Sequence, residues 1–318
     1  MNYYDFLSFK EEALRYYTPL VYIALAIGII ASILSALYLW KKDERYGRFS
    51  YYAATALMVE LTLLYALLVR YHLGLASISY INPFEGGRFN ILLPFWVEKE
   101  RLLFWLWSYT FMVLYAWRYR ARRFASALNF GFLFFLIAIF LTGREEPLPE
   151  MSKLAGQYLL WELHPFSAPV ELFRSLIGKY YLYSTWYMWL HPPMIFIAYA
   201  AFTVNFFACI TMLLKRKEIY DSIAYAYAKF GYVLLTIGML IGYPWALEAW
   251  RGQSWWWSPI ISASFMLWFF YSAYLHMRLY IKDGKIWRIT AILGIIAYLS
   301  VIFAYLVIFL LPGVHAYV

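Results

Sequence analysis

Residues 18–40 read TPLVYIALAIGIIASILSALYLW, twenty-three residues without a charge, and Lys41 and Lys42 follow at once. About 20 predominantly apolar residues in a helix cross the hydrocarbon core of a bilayer, so this stretch predicts a transmembrane helix with a basic end. Seven further stretches have the same character: 49–71, 101–119, 124–142, 187–213, 226–247, 260–280 and 288–311. Each is about twice the length of a membrane strand and lacks sustained two-residue alternation, which argues against a barrel. The expectation is an all-α integral membrane protein, a bundle of about eight transmembrane helices. Composition agrees. Of 318 residues, 64% are hydrophobic and 14% charged, against about a quarter charged in soluble domains, so disorder is excluded and an ordinary soluble domain is disfavoured.

The charge of +9 is placed as membrane topology is written. Short connections carry Lys41, Lys42, Arg45 and Arg48, then Arg118, Arg120, Arg122 and Arg123, then Lys215, Arg216 and Lys217, then Arg278, Lys282, Lys285 and Arg288. Those loops are expected on the cytoplasmic side of a cell membrane. Eight spans then put both termini outside, with the connections 72–100, 143–186 and 243–259. These segments hold most of the acids, including Glu98, Glu100, Glu145, Glu146, Glu150, Glu162, Glu171 and Glu248. No motif for reading bases accompanies the cations, so nucleic acid is not an expected partner. The start around Glu11 and Glu12 does not read as a signal peptide, and the first span is expected to be a retained anchor. With the single cysteine, Cys209, inside an apolar run, neither an intrachain disulfide nor a thiolate metal site is expected.

Three parts follow: an amino-terminal four-helix membrane part, 1–142; an outer connection, 143–186, with an interfacial helix expected from Pro169 to Tyr181; and 187–318, four spans plus a tryptophan-rich segment, 243–259. Pro83 with Gly86 and Gly87 marks a turn in the first outer connection, and Pro147 and Pro149 interrupt the second.

The histidines are His72, His164, His191, His276 and His315. His191 opens the fifth span before Pro192 and Pro193, and His315 follows the eighth, so by parity both lie outside. Facing imidazoles at one depth are what axial ligation of a haem iron requires, whereas zinc ordinarily asks for three or four ligands. Interfacial histidines bonded to backbone and water are an equal alternative. His276 lies 17 residues beyond Pro259, about 25 Å along an ideal helix, and suits a second haem or a bond to a neighbouring helix. His164 reads foremost as a solvent-facing loop histidine, and Glu60, inside the second span, needs a partner or water.

Five tryptophans, Trp245, Trp250, Trp255, Trp256 and Trp257, fall in thirteen residues beside Arg251. Rigid rings of this kind line a slot for a planar macrocycle or anchor helices at the interface, and Arg251 suits a propionate.

The run His191-Pro192-Pro193, the segment ending Trp255 to Pro259, then Ala263 to Met266, His276 and Val314-His315-Ala316 resembles the haem-handling core of the cytochrome c haem lyase family of CcmF, CcsA and CcmC. The ordered match covers 187–318, and Leu93-Pro94 with Glu100 and Leu102 to Trp105 extends it loosely. The resemblance implies a protein of cytochrome c biogenesis that binds haem b and presents it outside for thioether attachment to CXXCH motifs of an apocytochrome c, as a lyase or lyase subunit, served by a haem chaperone. It implies His191 and His315 as outer axial ligands, Trp245 to Trp257 as the cradle, and His276 as the transmembrane ligand. The residue opposite His276 is expected either from a second subunit of a split system or not at all, the chain then being a short single-gene variant. Ser258 and Ile261 stand where the family tends to carry carboxylates. With no cysteine near the outer site, catalysis is expected to consist of positioning the reactants. A haem carrier or exporter without ligation activity, and a quinone-linked or structural subunit of a respiratory complex, are the rival expectations.

Overall fold

The computed structural model describes residues 1–82, 84–94, 96–98, 100–119, 121–143, 147–164, 170–215, 218–249, 258–280 and 287–311. The elements run in chain order: α1 (Tyr3–Lys41), α2 (Glu44–Ala76), β1 (Ser79–Ile81), β2 (Arg88–Asn90), α3 (Glu100–Ala116), α4 (Arg122–Ala127), α5 (Phe130–Gly143), α6 (Pro149–Leu163), α7 (Val170–Tyr183), α8 (Tyr187–Lys215), α9 (Glu218–Ala249), α10 (Pro259–Arg278) and α11 (Trp287–Leu310). Among the described residues, every element apart from one small hairpin is helical, and seven helical segments are long and apolar enough to cross a bilayer: α1, α2, the stretch Arg122–Leu141, α8, α9, α10 and α11. The protein is thus a multi-pass membrane protein. The third expected span, 101–119, coincides with α3, whose 17 residues reach about 25 Å.

Helix α1 starts well before the apolar stretch that announces it. Asn2 caps it by accepting from the Asp5 amide at 2.8 Å, and the Asp5 carboxylate accepts from the Asn2 amide at 3.2 Å. This reciprocal box satisfies two otherwise orphaned donors. With 39 residues α1 is about 58 Å long, nearly twice a hydrocarbon core, and its first turns pack against α6, where the buried Phe6 ring lies close enough to Gly156 to meet an added Cβ at 3.1 Å.

The fourth expected span, 124–142, is broken into α4 and α5 around Asn129. That side chain donates to Ser35 Oγ, the Ser50 carbonyl and Ser50 Oγ at 3.2, 3.2 and 2.9 Å, while Ser32 donates to the Asn129 carbonyl at 3.2 Å. Backbone freed by a helix break in apolar surroundings is tolerated where neighbouring helices satisfy it again.

The described parts of the connections 72–100 and 143–186 carry secondary structure. β1 and β2 pair antiparallel with Tyr80 opposite Phe89, closed by a turn in which Gly86 takes φ 70°. Pro149 begins α6 at a position whose amide has no intrahelical partner, so it opens this helix. The interfacial helix expected from Pro169 to Tyr181 corresponds to α7, Val170–Tyr183.

Helices α8 and α9 meet along small residues. Ala198, Ala200, Ala201, Ala224 and Ala228 are fully buried, and a Cβ on Gly231 would come within 2.7 Å of the Phe202 ring. Close backbone approach of this kind drives helix association in lipid, where hydrophobic burial gives no advantage.

Candidate haem site

A cavity of about 520 Å³ lies between α3, α8, α9, α10 and α11, within the range of about 300–1,000 Å³ typical of small-molecule sites. His191 forms part of its wall together with Trp96, Arg101, Trp245 and Tyr305. Half-buried His191 bonds through Nδ1 to the Gly238 carbonyl at 2.7 Å. A carbonyl only accepts, so Nδ1 carries the proton and Nε2 keeps its lone pair. This is the tautomer, held by a hydrogen bond on the other ring nitrogen, that a metal-ligating histidine needs. The Trp245 ring stacks against the imidazole, centroids 6.1 Å apart and planes 25° apart, and is itself fixed by donating to the Leu182 carbonyl at 3.1 Å. Gly242 permits the close approach, for a Cβ there would lie 2.6 Å from Nδ1.

The structure adds Arg101, which sequence reasoning did not single out. Its Nε donates to the Glu98 carbonyl at 2.5 Å and its guanidinium lies over the Phe309 ring at 5.5 Å. Among the described residues no carboxylate pairs with it, which leaves a planar donor fork at the cavity wall suited to a carboxylate ligand. Trp96, also unforeseen, donates to the Met188 carbonyl at 3.1 Å and braces the start of α8.

Beside Arg101, Glu98 adopts φ 57°, an uncommon backbone state for a side-chain-bearing residue. It persists because the carboxylate accepts from the Glu150 and Met151 amides at 2.9 and 3.0 Å, at the start of α6, while Glu100 accepts from the Leu148 amide at 2.7 Å. Lys179 of α7 stands 3.9 Å from Glu98 and 3.2 Å from Glu150. Burial pushes the Glu98 carboxyl up to about 7, with Glu150 adding repulsion and Lys179 and the two amides opposing. A carboxyl raised from 4.5 stabilises the fold fully below about pH 4.5, and that contribution is lost as pH rises through about 7. The difference is worth about 3 kcal/mol. Thermal unfolding in detergent is therefore expected to show the wild type losing stability between pH 4.5 and 8 by about this much more than Glu98→Gln.

His276, expected at a different depth, lies elsewhere, on an exposed face in the last turn of α10, its Nδ1 bonded to the Ser272 carbonyl at 2.7 Å. His72 is buried behind the site, edge-on to Trp189 at 6.4 Å, and its Nε2 has no partner among the described residues. His164 is exposed after α6, and Glu60 is buried in α2, its Oε1 without a partner among the described residues. His315, Trp250, Arg251, Trp255, Trp256 and Trp257 fall outside the described residues. Ile261 lines the cavity, and Ser258 is buried just ahead of α10. No cluster of three or more His, Cys, Asp or Glu placed to hold a bare metal ion occurs among the described residues.

Known proteins give this arrangement its context. The profile of the family described as Cytochrome C assembly protein matches residues 96–315, from Trp96 to His315. A cytochrome c biogenesis protein CcsA of Prochlorococcus marinus is 45% identical over 104 residues, 32% of this chain and 33% of that protein. The CcsA of Gloeobacter violaceus is 40% identical over 101 residues, 31% and 29% of the two chains. The matched stretch thus spans about a third of these curated relatives. In fold, the chain is similar to the cytochrome c haem lyase CcmF, with a TM-score of 0.65 and 19% identity over 92% of this chain and 47% of that one. The profile takes in most of the chain and every wall of the cavity: this protein belongs to the cytochrome c assembly family.

Proposed function

We propose that the protein holds haem b as its substrate in the cavity at His191 and presents it outside the membrane for covalent attachment to the CXXCH motif of an apocytochrome c, as a haem lyase or a subunit of one. The observation that carries this reading is the imidazole of His191, fixed by Gly238 and Trp245 with Nε2 free, in the wall of a cavity large enough for a macrocycle. On the same reading His315 would be a second ligand to the haem iron, Trp250, Trp255, Trp256 and Trp257 would join Trp245 as the cradle, and Arg251 and Arg101 would take the propionates. The part 187–318 is then the haem-handling core, 1–142 the membrane part beside it, and 143–186 the outer platform. With α3 as the eighth crossing, both termini lie outside.

Bound haem iron supplies the redox centre that must be reduced before attachment. The chain's own work is positional: His191 fixes the depth and tilt of the ring, Trp245 covers the imidazole, and the apolar wall excludes water. The thiol adds across the vinyl double bond, its sulfur to one carbon and its proton to the other, so no net oxidant is consumed. Holding the partners in register is where proximity lowers the barrier.

His276, exposed and by the α9–α10 register about 15 Å along the bundle from His191, is assigned to a second haem whose opposite ligand comes from a second subunit. Coexpression with an apocytochrome c and the haem chaperone tests the reading. Haem-stained cytochrome on a denaturing gel that depends on this chain is the expected result. Haem-loaded protein without covalent product identifies a carrier.

A further inference from the structure

Many polar side chains on the cavity wall have their donors committed. Trp96 and Trp245 donate to the Met188 and Leu182 carbonyls, Ser264 to the Ile260 carbonyl, and Trp268 to Thr236 Oγ1, which itself donates to the Tyr232 carbonyl. Arg101 and Tyr183 do not. Arg101 commits only Nε, to the Glu98 carbonyl, and its two Nη groups have no acceptor among the described residues. Tyr183, the last residue of α7, lines the cavity at 1% exposure, and its hydroxyl has no partner among the described residues. Buried hydroxyls are nearly always bonded, and the cavity is the space from which an acceptor reaches this one.

The two donors share one corner. Burial holds the Tyr183 phenol well above its usual range, the Glu98 carboxylate adding and the Arg101 guanidinium opposing. Both charges therefore lie near the phenol, and it stays protonated as a donor. Lys179, a second base at this corner, is taken by Glu98 and Glu150 at 3.9 and 3.2 Å, and the Glu98 carboxylate is turned onto the Glu150 and Met151 amides. Arg101 is the cation left for a ligand. The corner also belongs to the same frame as His191, because Trp245, stacked on the imidazole, is fastened to Leu182, one residue before Tyr183.

We infer that Arg101 and Tyr183 together form an anchor for a ligand carboxylate, so that a macrocycle bound at His191 is held at two points, its centre and one acidic arm. The naming of that arm as a haem propionate rests on the haem reading above. The anchor follows from the two donors. A guanidinium offers parallel N–H groups and a phenol one O–H, and a carboxylate has lone pairs for all of them. A ring held only at its centre turns freely in its own plane. The second point removes that freedom and decides which edge faces the incoming thiols.

Metal-free protoporphyrin and its dimethyl ester, titrated by fluorescence into the whole protein in detergent, test the anchor apart from the iron. Wild type is expected to prefer the free acid by about tenfold or more, the scale of hydrogen bonds to a charged group. Tyr183→Phe and Arg101→Gln should each lose most of that preference and leave the ester's affinity unchanged. Tyr183→Phe removes only a hydroxyl without a described partner, so misfolding is no rival explanation. Arg101→Lys keeps the charge without the fork and should keep only part of the preference. No preference in wild type, a preference untouched in the variants, or parallel falls for acid and ester overturns the anchor. Oleate at the porphyrin's concentration should not displace it; displacement gives the anchor to a fatty acid and overturns the macrocycle as its ligand. Haem that fails to bind where the metal-free acid binds removes the haem reading and leaves the anchor standing. Haem that binds equally to wild type and both variants removes the anchor and leaves the haem reading.

Discussion

His191→Ala should empty the site. Purified in detergent, the variant is expected to carry less than about a hundredth of the wild-type haem, read from Soret absorbance per protein. Loss of a second-shell partner alone costs roughly 10–100-fold in metal affinity, and this change removes the ligand itself. The fold should survive: His191 is only half-buried, on the cavity wall, and its one described hydrogen bond is to the carbonyl of Gly238, which lies within α9 and is already an acceptor in the helical ladder. Free imidazole fits the space the side chain leaves and should restore part of the Soret band. Haem content unchanged by the substitution would remove His191 from the site.

Gly242→Ala should approach the same loss without touching the ligand. The added Cβ would stand 2.6 Å from Nδ1 and 2.7 Å from Cε1 of His191, well inside van der Waals contact. The ring is the tip of a mobile side chain, so it rotates away while the helices stay in place. Rotation breaks the Gly238 bond that sets the tautomer. A fall of about 10–100-fold in haem affinity is expected, the scale of second-shell defects. Helix weakening is no rival explanation, because Gly to Ala within a helix gains about 1 kcal/mol. Free imidazole should not rescue this variant, since the displaced ring still occupies the space. Wild-type haem content in Gly242→Ala would show that the ring's orientation is immaterial.

The two variants bear differently on what was legible in advance. His191 announced itself by residue type, by the prolines after it and by its place at a span's start. Gly242 did not: a glycine in an apolar helix gives no sign that an imidazole from another helix lies against it. Glu98 and Arg101 were visible only as charges beside an apolar run, and nothing local marks Glu98 as the acceptor for amides fifty residues away. Asn129 was passed over in the same way. In a hydropathy reading it is one polar residue in a span, yet its bonds to Ser35 and Ser50 split that span into two helices.

Read alone, the residues were enough to establish a helical membrane bundle, roughly where its helices lie, and which family it resembles. Those features are local or compositional: solvent-scale hydropathy, helix length against bilayer thickness, and residue runs. Helix packing alone reveals that His191 faces a cavity, which of its nitrogens is free, and that His276 lies on an exposed face of α10. Each of these depends on the rotation of one helix against another. That rotation is fixed by glycine contacts and single hydrogen bonds between residues far apart in the chain, and hydrophobic periodicity is nearly blind to it when every face of a helix is apolar.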